Sequence, residues 1–311
     1  MKKAKSLGRL QSTCGLRNLG NSCYMSAVMQ CLATIDDHGI GLACEDPKKL
    51  VLEYENLIKK LRNGKGVLTP SRFKRAMALT DDTFNNTNPQ DAQEFLSSLL
   101  TLLKEKRAGG GVEERAVGQM RSTMRCASCS FMSESDEEFN MLSLPIGKQR
   151  NQLLNDCLEC YLGDEEIVVE EGWRCEECST VRSGKKNFDV VKSPEMLIIH
   201  MKRFKFSDGR IEKINAEIGI GQQIHLAGVQ YSLSGIVKHE GSRESGHYVA
   251  VIRTGTGWLE VNDEKVSATV LGDLHWCSKA YLLFYEASPQ KSFSVSDTSI
   301  RRGPATSESR N

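Results

Sequence analysis

The chain has 311 residues, with 41 Lys and Arg balanced by 40 Asp and Glu, so its formal net charge is +1. A chain so balanced has no overall field to attract nucleic acid or an anionic membrane, and none of its apolar runs reaches the ~18 residues of a membrane span. The segment from Met1 to Leu10 is basic and lacks the apolar stretch of a secretory signal. We therefore expect a soluble intracellular protein of the cytoplasm or nucleus, with no nucleic-acid and no membrane partner.

Helices are predicted for most of the first hundred residues, because apolar residues recur there at intervals of three and four. Two helix starts are marked by a capping side chain followed by proline, at Thr69-Pro70 and at Asn88-Pro89. Both helices are expected to begin at these prolines, which places Asp91 and Glu94 early in the second one.

Short strands and turns are predicted from about Gly118 onward, in a separate extended lobe that one helix interrupts at Leu153 to Leu162. Four later runs are apolar and β-rich, and we expect them to form the main sheet. These runs are residues 196–201, 231–237, 248–252 and 280–285. The segment 287–311 has almost no large apolar residue and is predicted to be a disordered tail.

Eleven cysteines in a chain without a secretory signal indicate metal binding, catalysis or burial rather than disulfides. Three pairs have Cys-x-x-Cys spacing, more thiols than one tetrahedral zinc can use. The pair Cys157 and Cys160 lies inside a helical pattern and is predicted to be structural. The other two pairs lie among strand and turn residues and are candidate zinc ligands, although their wide separation leaves the assignment open: Cys126 and Cys129, Cys175 and Cys178.

Cys23 stands where a glycine-containing polar turn runs into a helical segment, at a predicted helix N-terminus. Unpaired N–H groups and the helix dipole lower the pKa of a thiol there. A cysteine before a helix is more often a buried small residue. His247 favours the catalytic interpretation, because it lies where a polar loop enters an apolar strand, and a cysteine nucleophile needs a base that can be distant in sequence.

Six segments resemble, in the same order, the signature boxes of the ubiquitin-specific protease family (UCH type 2). They are Gly15 to Leu32, Asn88 to Phe95, Leu197 to Phe206, Gly246 to Tyr248, Trp258 to Val266 and Ala280 to Tyr285. The resemblance implies an α+β fold, a papain-like cysteine protease with a helical thumb, a β-sheet palm and a zinc-bearing fingers lobe. It also implies a deubiquitinating enzyme that hydrolyses the (iso)peptide bond at the C-terminal glycine of ubiquitin through a thioester acyl-enzyme.

The resemblance divides the chain into an N-terminal extension (1–12), a catalytic domain (13–286) with the fingers lobe (about 118–190) inserted, and the tail (287–311). Ubiquitin and ubiquitinated proteins are the implied partners.

The resemblance also assigns roles to single residues. Cys23 would be the nucleophile and His247 the acid/base, while Asn18 would donate its amide to the oxyanion. Asn262 would hold the imidazole in the useful tautomer, with Asp263 as its competitor, and strand alternation would point these two side chains to opposite faces.

Asp91 and Glu94 have two interpretations. Carboxylates early in a helix simply stabilise its dipole. The resemblance instead assigns Asp91, with Glu94 beside it, to binding of the basic C-terminal tail of ubiquitin. It likewise implies that Cys126, Cys129, Cys175 and Cys178 hold one structural Zn²⁺ in the fingers lobe.

One departure keeps an alternative open. The family usually carries Asn-Ser three and four residues after the cysteine, where this chain has Ser26-Ala27. A catalytically weak or inactive ubiquitin-binding scaffold is therefore the second hypothesis. His200 and His239, which lie in strand-like runs, are predicted to serve packing rather than catalysis.

Overall fold

A computed structural model describes residues 13–35, 49–107, 110–147, 151–167, 173–179, 183–207, 209–243 and 245–288. The predicted N-terminal extension and the predicted tail from residue 289 onward lie outside these ranges, so both stay predictions. The last strand continues to Ala287, the first residue of the predicted tail.

Most of the described helices lie in the first part of the chain, as predicted. They are α1 (Cys23–Thr34), α2 (Leu50–Asn63), α3 (Ser71–Thr80), α4 (Ala92–Lys106), α5 (Val112–Arg115) and α6 (Leu154–Leu162). Nearly every residue of α1 is buried, because this helix runs between the other helices and the main sheet. In the described part of the chain, every helix is too short or too polar to span a lipid bilayer.

The predicted start of α4 at Asn88-Pro89 is wrong. The helix begins at Ala92, and Asp91 is its N-cap residue with an extended backbone. One carboxylate oxygen of Asp91 accepts from the backbone N–H groups of Gln93 (2.6 Å) and Glu94 (3.3 Å). This cap satisfies two N–H donors of the first turn, and the helix therefore begins after Asp91 rather than at Pro89. By contrast, α3 begins directly after Pro70, close to its predicted start.

The strands form one large sheet and several small ones. They are β1 (Thr13–Leu16), β2 (Lys65–Leu68), β3 (Gly118–Cys126), β4 (Met132–Phe139), β5 (Leu142–Pro145), β6 (Gln152–Leu153), β7 (Glu165–Ile167), β8 (Gly184–Lys192), β9 (Met196–Lys202), β10 (Phe204–Ser207), β11 (Arg210–Lys213), β12 (Ile218–Gly221), β13 (Gln223–Leu226), β14 (Val229–Gly241), β15 (Gly246–Arg253), β16 (Trp258–Asn262), β17 (Lys265–Thr269), β18 (Leu274–Cys277) and β19 (Ala280–Ala287).

The main sheet has the order β17-β16-β15-β14-β19-β9-β5, with β13 paired to β14. The four strands expected from their apolar runs, β9, β14, β15 and β19, lie side by side at its centre. The last strand, β19, is inserted between β14 and β9, and of the neighbouring pairs only β5 with β9 is parallel.

The main sheet is buried on both faces. In β9, Ile198 faces the helical lobe, whereas Leu197 and Ile199 face the second apolar cluster with α6 and β12. In β19, Phe284 and Leu283 divide in the same way. Burial on both faces explains why these strands are continuous apolar runs rather than alternating ones.

Arg203, between β9 and β10, is fully buried and bonds only backbone carbonyls in the described structure. Its guanidinium donates to Ala280 (2.5 Å), Cys277 (3.0 Å), Ile214 (3.0 Å) and Ala216 (3.0 Å). It therefore ties the base of the β10–β11 hairpin to the segment that leads into β19.

Four strands between residues 118 and 192 form the separate sheet β4-β3-β8-β7, which coincides with the predicted fingers lobe to within two residues, whereas β5 from the same stretch joins the main sheet. Cys126 ends β3 at one end of this sheet. The predicted helix inside the lobe is α6, in which Cys157 is buried and Cys160 is exposed, so a structural role for the pair stays a prediction.

Candidate active site

Cys23 is the first residue of α1, as its sequence context predicts. The preceding loop is shaped by Asn18, whose Oδ1 accepts from the backbone N–H groups of Gly20 (3.0 Å) and Ser22 (3.2 Å). Gly20 has φ +88°, a conformation that glycine adopts without the strain a side chain would bring. The loop thus turns sharply and delivers the thiol at the helix N-terminus.

The expected lowering of the Cys23 pKa is wrong for this conformation. Burial raises the pKa of the thiol, the backbone N–H of Tyr248 lowers it, and the carboxylate of Asp263 raises it. Desolvation outweighs the favourable helix terminus because a thiolate loses its hydration inside the protein. Ionisation of Cys23 therefore requires a base.

His247 is the second residue of β15, and its Nε2 lies 2.8 Å from Oδ1 of Asn262 at the end of β16. An amide oxygen can only accept, so Nε2 carries the proton and Nδ1 is the basic nitrogen. Within the described residues, Cys23 and the His247 ring are not hydrogen-bonded to each other. The backbone N–H of the next residue, Tyr248, is near enough to the thiol to lower its pKa, so the chain nevertheless brings His247 close to Cys23.

Asp263 does not point away from Asn262, contrary to the prediction from strand alternation. Its φ of 49° places it in the turn after β16, where alternation no longer applies. Its Oδ2 accepts from Nδ2 of Asn18 at 2.8 Å and lies 4.0 Å from Nε2 of His247. The geometry therefore gives the hydrogen bond with the imidazole to Asn262 and connects Asp263 to Asn18.

A cavity of about 210 Å³, which we call the channel, leads to Cys23 between α4 and the main sheet. Its lining residues are Asn21, Cys23, Pro89, Gln90, Asp91, Glu94, Phe204, His239, Arg243, Gly246 and Tyr248.

Asp91 and Glu94 give the channel an acidic wall. The hydroxyl of Tyr281, in β19, donates to Oδ2 of Asp91 at 2.5 Å, so both carboxylate oxygens of Asp91 have partners. Sequence reasoning missed Tyr281. A signal was available, since a tyrosine inside an apolar strand needs a partner for its hydroxyl.

Two further histidines lie near the channel. His200 shares a hydrogen bond of 3.1 Å between its Nδ1 and Oγ of Ser143, and His239 is only 2% exposed. Burial lowers the pKa of each to about 4, so both are neutral at neutral pH. Their surroundings agree with the predicted packing role.

Known proteins resemble this chain in sequence and in fold. The family described as "Ubiquitin carboxyl-terminal hydrolase" matches residues 14–285. The chain belongs to this family. Among curated relatives, ubiquitin carboxyl-terminal hydrolase Usp2 of Drosophila melanogaster is 29% identical over 89% of this chain and 35% of its own length. Ubiquitin carboxyl-terminal hydrolase 21 of Homo sapiens is 28% identical over 88% of this chain and 61% of its own length.

Solved structures of similar fold include the SAGA Ubp8/Sgf11/Sus1/Sgf73 DUB module bound to ubiquitin aldehyde. The superposition has a TM-score of 0.75 at 22% sequence identity and covers 91% of this chain and 71% of that chain. This likeness confirms the predicted α+β fold of the ubiquitin-specific proteases. The chain spans from about a third to three-fifths of the length of the relatives Usp2 and hydrolase 21.

In this family member, four cysteines converge at the end of the four-stranded sheet. The Sγ atoms of Cys126, Cys129, Cys175 and Cys178 all lie within 4.8 Å of one another. The separations are 4.0 Å for Cys126 with Cys178 and 3.7 Å for Cys129 with Cys175. Thiolates bound tetrahedrally to zinc at ~2.3 Å would be ~3.8 Å apart, so the cluster could hold a metal ion of that size.

Proposed function

We propose that this chain is a deubiquitinating cysteine protease, which hydrolyses the (iso)peptide bond at the C-terminal glycine of ubiquitin on ubiquitinated proteins. The observation that carries the proposal is the bond between His247 and Asn262 beside the channel that ends at Cys23. The span from β1 at Thr13 to the end of β19 supports a catalytic domain of about residues 13–286.

In the first step, Sγ of Cys23 attacks the carbonyl carbon of the terminal glycine while Nδ1 of His247 accepts the thiol proton. The oxyanion that forms is stabilised by an N–H of Asn18, whose amide is already oriented by Asp263. The C–N bond then breaks, and the leaving amine takes the proton from His247. A thioester joins Cys23 to ubiquitin.

In the second step, His247 removes a proton from water, which attacks the thioester carbonyl. Collapse of the second tetrahedral intermediate releases the ubiquitin carboxylate and returns the proton to Sγ of Cys23. Throughout both steps Asn262 keeps the imidazole in one tautomer, because its carbonyl oxygen accepts only from Nε2–H.

The basic tail of ubiquitin would bind along the channel against Asp91 and Glu94. Tyr281 fixes the carboxylate of Asp91 from the sheet side, which keeps the acceptor in place without a bound partner. Bulky residues would be excluded beside the thiol, where the Gly246 backbone and the ring of His239 form one wall. A basic tail that ends in Gly-Gly would suit this channel, because its charge complements the acidic wall and its glycines pass the narrow part beside the thiol.

Zn²⁺ is the metal that a four-cysteine cluster suits best. Cys126, Cys129, Cys175 and Cys178 would hold it as a structural ion that joins β3 to the segment before β8. With four thiolate ligands the ion would serve only to cross-link this lobe.

A ubiquitin whose C-terminus carries an electrophile tests the proposal. The expected result is a covalent adduct that peptide mapping places on Cys23 and that Cys23→Ala abolishes. Cys160→Ala, which removes an exposed thiol on α6, is the matched control and should react like wild type. An unreacted chain that still binds ubiquitin would instead be the scaffold of the second hypothesis.

A further inference from the structure

Strand β14 extends beyond the end of its neighbour β19. In the described structure their pairing ends at Lys238 opposite Ala280, and one more bond joins the N–H of His239 to the carbonyl of Lys279 at 2.8 Å. Beyond Lys279 the described chain gives the backbone of β14 no further backbone hydrogen bonds on this side. The carbonyls of the last residues of β14 therefore need donors from elsewhere, because an unbonded backbone carbonyl in a folded protein is costly.

Lys213, the last residue of β11, supplies those donors. Its Nζ bonds the carbonyl of His239 at 2.9 Å and the carbonyl of Gly241 at 2.8 Å. These two carbonyls flank Glu240, and Glu240 is the residue directly opposite His247 in the pairing of β14 with β15. The ammonium thus holds the stretch of backbone against which the catalytic histidine is paired.

The ring of His239 provides a second connection to His247. This side chain is almost completely buried, and its ring lies 4.6 Å from the ring of Tyr248 between centroids. A Cβ added to Gly246 would lie 2.0 Å from Nε2 of His239, so the ring packs directly on the glycine that precedes His247. A shift of the His239 backbone would therefore move both neighbours of His247.

Lys213 itself is held on a rigid support. It pairs with Phe204 at the base of the β10–β11 hairpin, and Ile214, the next residue, gives its carbonyl to the buried guanidinium of Arg203 at 3.0 Å. The end of β14 is thereby fixed relative to the core rather than to a free loop.

We propose that Lys213 is a positioning residue for the reaction, which places His247 beside Cys23 by holding the end of β14 through two charge-assisted hydrogen bonds. This inference rests on the proposed function, in which His247 is the base. Lys213 touches neither the nucleophile nor the imidazole, and it acts through the backbone of residues 239–241.

The test is Lys213→Met, which keeps most of the length of the side chain and removes both hydrogen bonds. On a fluorogenic ubiquitin substrate, kcat should fall about tenfold while KM changes less than about threefold, because a misplaced base affects the chemical step more than binding. Lys213→Arg should restore most of kcat, since a guanidinium can donate to both carbonyls. The matched control is Lys279→Met, whose ammonium bonds only the carboxylate of Glu240 (2.7 Å) among described residues and should leave kcat unchanged.

A second readout needs no ubiquitin. Alkylation of Cys23 by iodoacetamide at neutral pH should be slower in Lys213→Met than in Lys279→Met, because the thiol relies on a placed imidazole. The proposal would be overturned by any of three outcomes. Lys213→Met could keep the wild-type kcat, it could lose kcat that Lys213→Arg does not restore, or it could fail to fold. A wild-type protein that fails to turn over ubiquitin substrates would instead contradict the proposed function.

Discussion

Tyr281 and Asp91 are joined by a hydrogen bond of 2.5 Å, from the last strand of the described sheet to the cap of α4. Asp91 therefore has two tasks that use different oxygens. One oxygen caps the helix, and the other faces the tyrosine at the wall where a basic peptide would bind.

Substitution at Asp91 should separate these two tasks. Asp91→Asn keeps a good N-cap and removes the charge, so we expect KM for a ubiquitin substrate to rise about tenfold with little change in thermal stability. Asp91→Ala should raise KM similarly and also lower the free energy of unfolding by at least about 1 kcal/mol, because the helix loses its cap and the Tyr281 hydroxyl loses its acceptor. Steady-state kinetics and thermal unfolding of both variants would measure this. Equal KM values for Asp91→Asn and wild type would exclude a role for the charge.

Replacement of Asn262 should cost more than replacement of its neighbour. Asn262→Ala removes the acceptor for Nε2 of His247, and we expect kcat to fall by about tenfold or more with KM little changed. Asp263→Ala should cost less, because it acts through Asn18. If this path is real, the double variant Asn18→Ala/Asp263→Ala should lose less activity than the two single losses combined. A larger kcat loss for Asp263→Ala than for Asn262→Ala would assign the orienting role to Asp263.

The metal content of the purified protein should be one zinc per chain. Cys175→Ser should lose the ion and lower the melting temperature, since binding energy at such a site is folding energy. Cys157→Ser changes a buried cysteine of the same lobe that lies outside the cluster, and it should retain full zinc. Metal analysis of the two variants decides the assignment, and zinc lost from Cys157→Ser alone would refute it.

His239 should make the fold sensitive to acid. Burial lowers its pKa to about 4 in the folded protein, while an unfolded chain titrates near 6.5. Between these two pKa values the unfolded state binds more protons than the folded state. The contribution of His239 to the free energy of unfolding is therefore fully present above pH ~6.5 and is lost as the pH falls, by roughly 3 kcal/mol in total. The drop in urea midpoint from pH 7.5 to 5 should shrink in His239→Gln. It should be unchanged in His225→Gln, which alters an exposed histidine on β13.

Local patterns in the sequence were sufficient to predict the central strands of the main sheet and the helix that begins at Cys23. The run Met196 to Met201 is a strand because it is apolar throughout, and Cys23 begins a helix because a glycine turn precedes it. What could not be predicted depends on contacts between distant segments. The cap at Asp91 prevailed over the Asn88-Pro89 signal, and the left-handed backbone of Asp263 cancelled strand alternation.

The raised pKa of Cys23 also escaped sequence reasoning, because desolvation depends on packing that no local motif reveals. The roles of Tyr281 and Lys213 could not be predicted from the sequence for a similar reason. Each bonds an atom that lies 26 or more positions away in the chain, so their partners become visible only in the folded protein.

The position of β19 has a consequence for synthesis of the protein. This final strand separates β14 from β9, so a chain that stops before Ala280 has two unpaired sheet edges where the centre should be. Such a chain already contains Asn18, Cys23, His247, Asn262 and Asp263, yet it lacks the strand that brings β9 and β14 together. Because a domain packs as a unit, a chain terminated before Ala280 should lack the assembled site and should not turn over the ubiquitin substrates of the proposed function.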